Sequence, residues 1–268
     1  MISTAGLSPF IGITLVRENR ETFEADVQRD PMSKREIESF RERIGSVETV
    51  EDLVNDYEVF SFVMKAFGME EEIYAKAMMK EIFTSDPEDD TSLINRLTDD
   101  KYTKANEELG FNADGTAGSN FSDPDWIEEM VDRYTTQRLI DTQTDVNESV
   151  GIALAFEQKV SGLTSWYKVL ANTEMKDFIM TAFGMPESSD NASVDSLKKM
   201  LEKRMDIEDL QDPEVQEKLI RQYSAFAAAT ETDTSQNAAL TLLTQGSSYN
   251  MVTIDIDAIQ GFSGYGTR

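Results

Sequence analysis

Cysteine and histidine are both missing from this chain. Without them there is no thiolate nucleophile, no disulfide framework, no zinc site of the usual kind and no Ser–His relay. The chemistry that remains belongs to carboxylates, lysine, tyrosine and hard cations held by carboxylates. The lack of cysteine leaves the redox compartment open. Positive charge is scarce as well: 25 Lys and Arg stand against 51 Asp and Glu, a net charge of −26. Such a surface repels phosphate backbones and anionic lipid heads, which argues against nucleic acid and membrane-surface partners. It suits a solvated acidic exterior or a basic protein partner.

Long apolar runs are absent too. No segment approaches the roughly 20 apolar residues that span a bilayer. The opening stretch, "MISTAGLSPFIGITLVRENR", lacks a positive n-region, and Ser8, Pro9 and Gly12 interrupt its apolar part. It does not read as a cleavable secretory signal. No glycine-rich phosphate loop, nucleophile elbow or basic stripe is visible. Apolar residues make up 40% of the 268, enough for a buried core.

What is there is a repeat. "FVMKAFGM" at Phe62–Met69 returns as "FIMTAFGM" at Phe178–Met185, 116 residues later. In that register Phe40 falls on Phe156, Ile44 on Val160, Val47 on Leu163, Leu53 on Val169 and Glu58 on Glu174, without a gap from Phe40 to Met69. Apolar residues at 59, 62, 63, 66 and 67 follow helical spacing. Asp56 and Asn172 sit where an N-cap belongs, and Thr49 and Ser165 can each cap a shorter helix. Gly68 and Gly184 follow the apolar stripe, where a positive φ ends a helix. The motif residues Phe62, Phe67, Gly68, Phe178, Phe183 and Gly184 therefore read as scaffold: packed rings, then a cap. On this reading the rings before each glycine are buried and line no working pocket.

Ser33 and Glu36 have capping-box spacing for a helix running to about Ile44. Downstream, "EEEIYAKAMMKEIF" reads as one helix, answered by "SVDSLKKMLEKRM" in the second copy. "LTDD" at Leu97 matches "LQDP" at Leu210, which pairs a helix over Lys101–Leu109 with one over Pro213–Ala229. Phe111–Asp123 is a loop, and Asp123-Pro124 opens a new helix. The run from there to Val160 could be one long helix or two broken near "TQTDVNESVG". At the ends, Val252, Ile254 and Ile256 alternate with polar neighbours and "FIGITLV" is β-branched, so the termini could pair as a small β element.

The expected fold is all-α: two related multi-helix lobes from an internal duplication, joined by a long helix. The expected divisions are a partly extended segment over 1–32, a first repeat over 33–122, a second over 123–230 including the connecting helix, and a tail over 231–268. Asp86, Glu88, Asp89 and Asp90 crowd carboxylates, and Asn112, Asp114 and Gly115 have a calcium-loop-like order. Neither fits an EF-hand: the first lacks the sixth-position glycine and the closing glutamate, and the second puts Phe121 where the bidentate Glu belongs. Both read as turns. No catalytic residue, cofactor ligand or metal ligand is assigned.

"IESFRERIGSVETVEDLVNDYEVFSFVMKAFGMEEEIYAKAMMKEIFTSD", "LINRLTDDKY" and "NESVGIALAFEQKVSGLTSWYKVLANTEMKDFIMTAFGMP" resemble, in this order, the bacterial family known as domain of unknown function 1217. The likeness runs from Ser33 to Ala229. It implies a helical fold and, because the family's genes tend to lie among motility genes, an association with the flagellum. No catalytic residues are known for the family to carry over. The expected function is accordingly a non-enzymatic, flagellum-associated structural or assembly protein with protein partners, flagellar components among them, in the cytoplasm or the flagellum. The alternatives are an acidic helical cytoplasmic adaptor or export chaperone, and an enzyme using carboxylates and a divalent cation.

Overall fold

The computed structural model describes residues 2–186 and 192–231, and among these it holds thirteen α-helices and no sheet. The only β-type pairing among them is an isolated bridge between Thr49 and Thr116. One compact unit, Met1–Ala227, contains both repeats, and Ala228–Arg268 forms a second unit.

The repeat is visible helix by helix. α3 (Pro31–Arg43), α4 (Val50–Asn55) and α5 (Tyr57–Ala66) build the first copy. α9 (Glu148–Lys159), α10 (Trp166–Ala171) and α11 (Thr173–Ala182) build the second, in the 116-residue register. The caps repeat with the helices. Thr49 and Ser165 accept from the backbone N–H of Asp52 and Lys168. Asp56 and Asn172 accept from Val59 and Met175. These side chains satisfy N–H groups that the first turn leaves without partners. An ion pair repeats too: Arg43 with Glu58 at 2.6 Å, Lys159 with Glu174 at 2.5 Å.

Each copy then adds a short amphipathic helix, α6 (Lys76–Phe83) and α12 (Val194–Glu202). The segment before α6 is not the continuous helix expected from "EEEIYAKAMMKEIF". Glu70–Glu72 form a 3₁₀ turn, and α6 begins only at Lys76. Lys65 holds Glu70 and Lys101 holds Glu72, which ties this turn to two different elements.

α7 (Asp100–Leu109) follows in the first copy, and α13 (Pro213–Glu231) closes the second. These two are not counterparts, contrary to expectation. Tyr223 of α13 stacks on Phe178 at 4.6 Å between ring centroids. The residue that stacks on Phe62, at 4.3 Å, is Tyr134 of α8 (Pro124–Val146). Tyr134 and Tyr223 are 89 positions apart, as are Pro124 and Pro213. α7 and the loop after it are thus an insertion in the first copy. That loop adds backbone bonds from Val50 N–H to Gly115 O and from Ala117 N–H to Glu48 O.

α8 is broken from α9 at Asn147, whose side chain accepts from Val150 N–H and donates to Thr4 O and Leu7 O. Gly151 makes this sharp elbow possible: a Cβ there would lie 2.0 Å from Thr144 Oγ1.

The N-terminal segment is helical, not partly extended. α1 (Pro9–Glu18) contains "FIGITLV", and α2 (Arg20–Arg29) follows. Pro9, Gly12, Ile13 and Val16 are buried at helical spacing, so tertiary packing overrides the β-branched bias. α3 is capped by Asp30 ahead of Pro31, not by Ser33, and Glu36 instead accepts from the Tyr134 hydroxyl. The strand expected at Val252, Ile254 and Ile256 lies outside the described residues.

Two cores result. Ile37 to Phe83 pack with Phe121 and Met130 to Tyr134 in the first. The second gathers α9 to α11 with α13, the C-terminal half of α8, and Ile13, Val16, Phe23 and Val27 from the N-terminal helices. α8 serves both: its first half closes the first lobe, and its second half packs against α9.

Candidate functional site

The recurring motif does two jobs. Phe62 and Phe178 lie deep in the two cores, stacked on Phe40 and Phe156 with the same separation, 4.1 Å, and the same interplanar angle, 14°. Gly68 and Gly184 have φ of 64° and 58°. At each, the glycine N–H bonds back to Lys65 O or Thr181 O, and the next N–H to Met64 O or Met180 O. This paired closure of the last helical turn needs a left-handed residue, which glycine adopts without Cβ strain.

Phe67 and Phe183 behave differently from expectation. They are half-buried, not core. Each carries an arginine over its ring, Arg133 at 5.8 Å and Arg204 at 5.6 Å, and each lines a cavity. The helix that ends at the motif stops at the surface, so its last ring sits at the rim of the core.

The cavity beside Phe67 lies between the two copies and has a volume of about 170 Å³. Ala66, Phe67 and Gly68 form one wall, and Gly162, Leu163 and Asn172 the opposite one. Its charge opposes that of the chain: Lys101, Lys104, Arg133, Lys159 and Lys168 line it, with Asp99 as the single acid. Lys101 pairs with Asp99 of the lining at 3.8 Å, and three further carboxylates pair with these cations: Glu72 with Lys101, Glu108 with Arg133, and Glu174 with Lys159. None of the three lines the cavity. Lys104 is exposed and has no ion pair among the described residues.

The electrostatics follow from burial and these pairings. Burial pushes the Glu72 carboxyl up, but Lys101 and the Tyr102 hydroxyl more than offset it, leaving it below the usual range. Burial also raises the Glu108 carboxyl, and there it outweighs Arg133 and Lys104. Tyr102 is raised by burial and by its bond to Glu72. A site of this kind concentrates positive field in a small volume and can hold an anionic group or an acidic side chain.

Sequence reading does not find this cluster. Its cations come from α7, α8, α9 and α10, and no stretch of the chain is basic. Only the fold assembles them. The acidic stretches, by contrast, are turns as read. Asp86 and Asp89 accept from the N–H of Glu88 and Thr91, and Asp114 from that of Thr116. No group of three or more carboxylates among the described residues is placed to hold a metal ion. Nor is any helix among them long and apolar enough to cross a membrane.

The family described as "Protein of unknown function (DUF1217)" matches residues 66–215. The chain belongs to it. The DUF1217 match starts at the first copy's motif and takes in every residue around the inter-copy cavity. No curated protein matches the chain. Among solved structures, the crystal structure of protein AGR_C_984 from Agrobacterium tumefaciens is similar to this DUF1217 chain at 27% identity and a TM-score of 0.73. The alignment covers 86% of this chain and 97% of that one. The all-α fold is therefore shared with an experimentally determined structure.

Proposed function

We propose that this chain is a non-enzymatic, flagellum-associated structural or assembly protein that works by binding other proteins. The observation that carries the non-enzymatic half is the use made of the duplicated residues. Phe62 and Phe178 go to matched ring stacks, and Gly68 and Gly184 to matched helix ends. What the two copies have in common is framework, and framework is what a structural part keeps. The flagellar half rests on the family resemblance and on the location among motility genes that it implies.

Deleting the gene and scoring swimming together with basal-body content tests the proposal. The expected result is impaired motility with an altered flagellar structure. Normal swimming with intact flagella overturns it. The net charge of −26 favours a second reading, an adaptor or export chaperone for a basic partner. Fractionation of a tagged copy separates the two: the structural protein travels with flagella, while the chaperone stays in the cytosol.

A further inference from the structure

We infer that the cavity between the two copies is a binding site for a small, multiply charged phosphate anion. This goes beyond the flagellar reading and does not rest on it.

The cavity is positive inside a negative molecule. Lys101, Lys104, Arg133, Lys159 and Lys168 line it against one acid, Asp99, while the chain as a whole carries −26. Cations gathered on facing walls repel one another, and an anion between them turns that repulsion into attraction. Three of the cations are held by acids that take no part in the lining. Glu72 bonds Lys101 at 2.7 Å, Glu108 bonds Arg133 Nη2 at 2.7 Å, and Glu174 bonds Lys159 at 2.5 Å. An ammonium has three N–H donors and a guanidinium five. Each pairing thus fixes a head group and leaves it donors to spare. Lys104 lies on α7 one turn from Lys101, is exposed, and has no ion pair among the described residues. Asn172 brings a neutral donor: its Oδ1 accepts from Met175 N–H, which leaves the amide N–H₂ group as its other polar end.

The repeat separates this cluster from framework. Phe62 and Gly68 recur as Phe178 and Gly184, because both copies need the same ring stack and helix end. The cations do not follow that rule. In the 116- and 89-residue registers Lys168 answers to Asp52 and Arg133 to Gln222, and Lys101 and Lys104 belong to the inserted α7. Lys159 alone has a cationic counterpart, Arg43. The positive lining is therefore particular to the junction between the copies and is not inherited from the duplicated scaffold.

Cation type and cavity size narrow the ligand. Four of the five are lysines, point charges without the planar fork that matches a single carboxylate. They reward the number of charges on the anion, which favours a di- or trianion over a monocarboxylate. The volume of about 170 Å³ falls below the roughly 300–1,000 Å³ of pockets that enclose drug-sized molecules. Pyrophosphate, or the phosphate end of a small organic ester, is of the right scale. A nucleic acid would have to lie along the acidic exterior, whereas a small anion meets only the cavity.

Calorimetric titration of the full chain in phosphate-free chloride buffer tests this, with pyrophosphate, glycerol 3-phosphate and succinate as probes. The expected result is saturable binding of at least one of the two phosphates, tighter than that of succinate and weakened between about 0.02 and about 0.3 M NaCl. Whichever phosphate binds more tightly tells an inorganic diphosphate from the phosphate end of an ester. The bound anion should also raise the thermal midpoint. Lys104→Glu, Lys104→Ala and Lys159→Gln should each weaken binding about 10-fold or more. Lys218→Glu, an exposed lysine of α13 outside the cavity lining, makes the same change in net charge as Lys104→Glu and should leave binding as it is. Ligand-free thermal midpoints show which variants are folded, and Lys104→Ala, which only shortens an exposed side chain, keeps the test open if another is not. No saturable binding of either phosphate overturns the inference. So does succinate binding as tightly as the phosphates, or a loss in Lys218→Glu equal to that in Lys104→Glu.

Discussion

Phe62 and Phe178 occupy equivalent positions in the two cores, 1% and 0% exposed, each between a second phenylalanine and a tyrosine. Truncating either to alanine removes a ring that cannot be replaced by collapse of its stacked neighbours. Each substitution should cost about 3–5 kcal/mol in urea unfolding, with similar values for the two. The glycines should part company. At Gly68 a Cβ meets nothing closer than 3.5 Å, so Gly68→Ala costs only the strain of a positive φ, about 1 kcal/mol. At Gly184 the same Cβ would lie 2.7 Å from the Phe226 ring. Gly184→Ala should therefore be the more destabilising of the pair in the same measurement. Glu72 gives the pH dependence. Its folded pKa lies below the ordinary carboxylate value of about 4.3. Its stabilisation is thus complete above that value and is lost as the pH falls through the folded value. The stability gap between the parent chain and Glu72→Gln should be widest near neutrality and shrink as the pH falls below the ordinary carboxylate range, as followed by urea titrations across pH.

Among the elements, the break between α8 and α9 depends on one side chain. Asn147 caps α9 and also holds the carbonyls of Thr4 and Leu7. Asn147→Ala should cost about 1–2 kcal/mol, and hydrogen exchange should speed up in residues 4–16 more than in α3 to α5. The sequence carried most of the element pattern. Caps at Thr49, Asp56, Ser165 and Asn172 are short polar side chains ahead of apolar periods, and that chemistry is local. Non-local packing was harder to read. The helical spacing of Pro9, Gly12, Ile13 and Val16 was present in "FIGITLV", but its β-branched residues also suit a strand until α9 supplies a partner. The exchange of α7 for α8 as counterpart of α13 had a signal as well, the Asp-Pro start shared by Asp123-Pro124 and Asp212-Pro213. An insertion that changes the register from 116 to 89 hides it. The cationic cavity had no signal, because its five cations lie on four helices and converge only through the lobe contact.

On the scale of the molecule, α8 belongs to both cores, with Met130, Val131 and Tyr134 in one and Leu139 and Ile140 in the other. Neither lobe can lose its packing without stripping half of this helix. Thermal unfolding of the described body should therefore show one cooperative transition, with calorimetric and van't Hoff enthalpies in agreement. Two resolved transitions would contradict this shared support. The insertion in the first copy has a different consequence. A perfect duplication would look the same after exchange of its halves, but α7 and the strap joining Thr49 to Thr116 exist on one side only. The body therefore has a front and a back, and anything that grips it can sense which way it points.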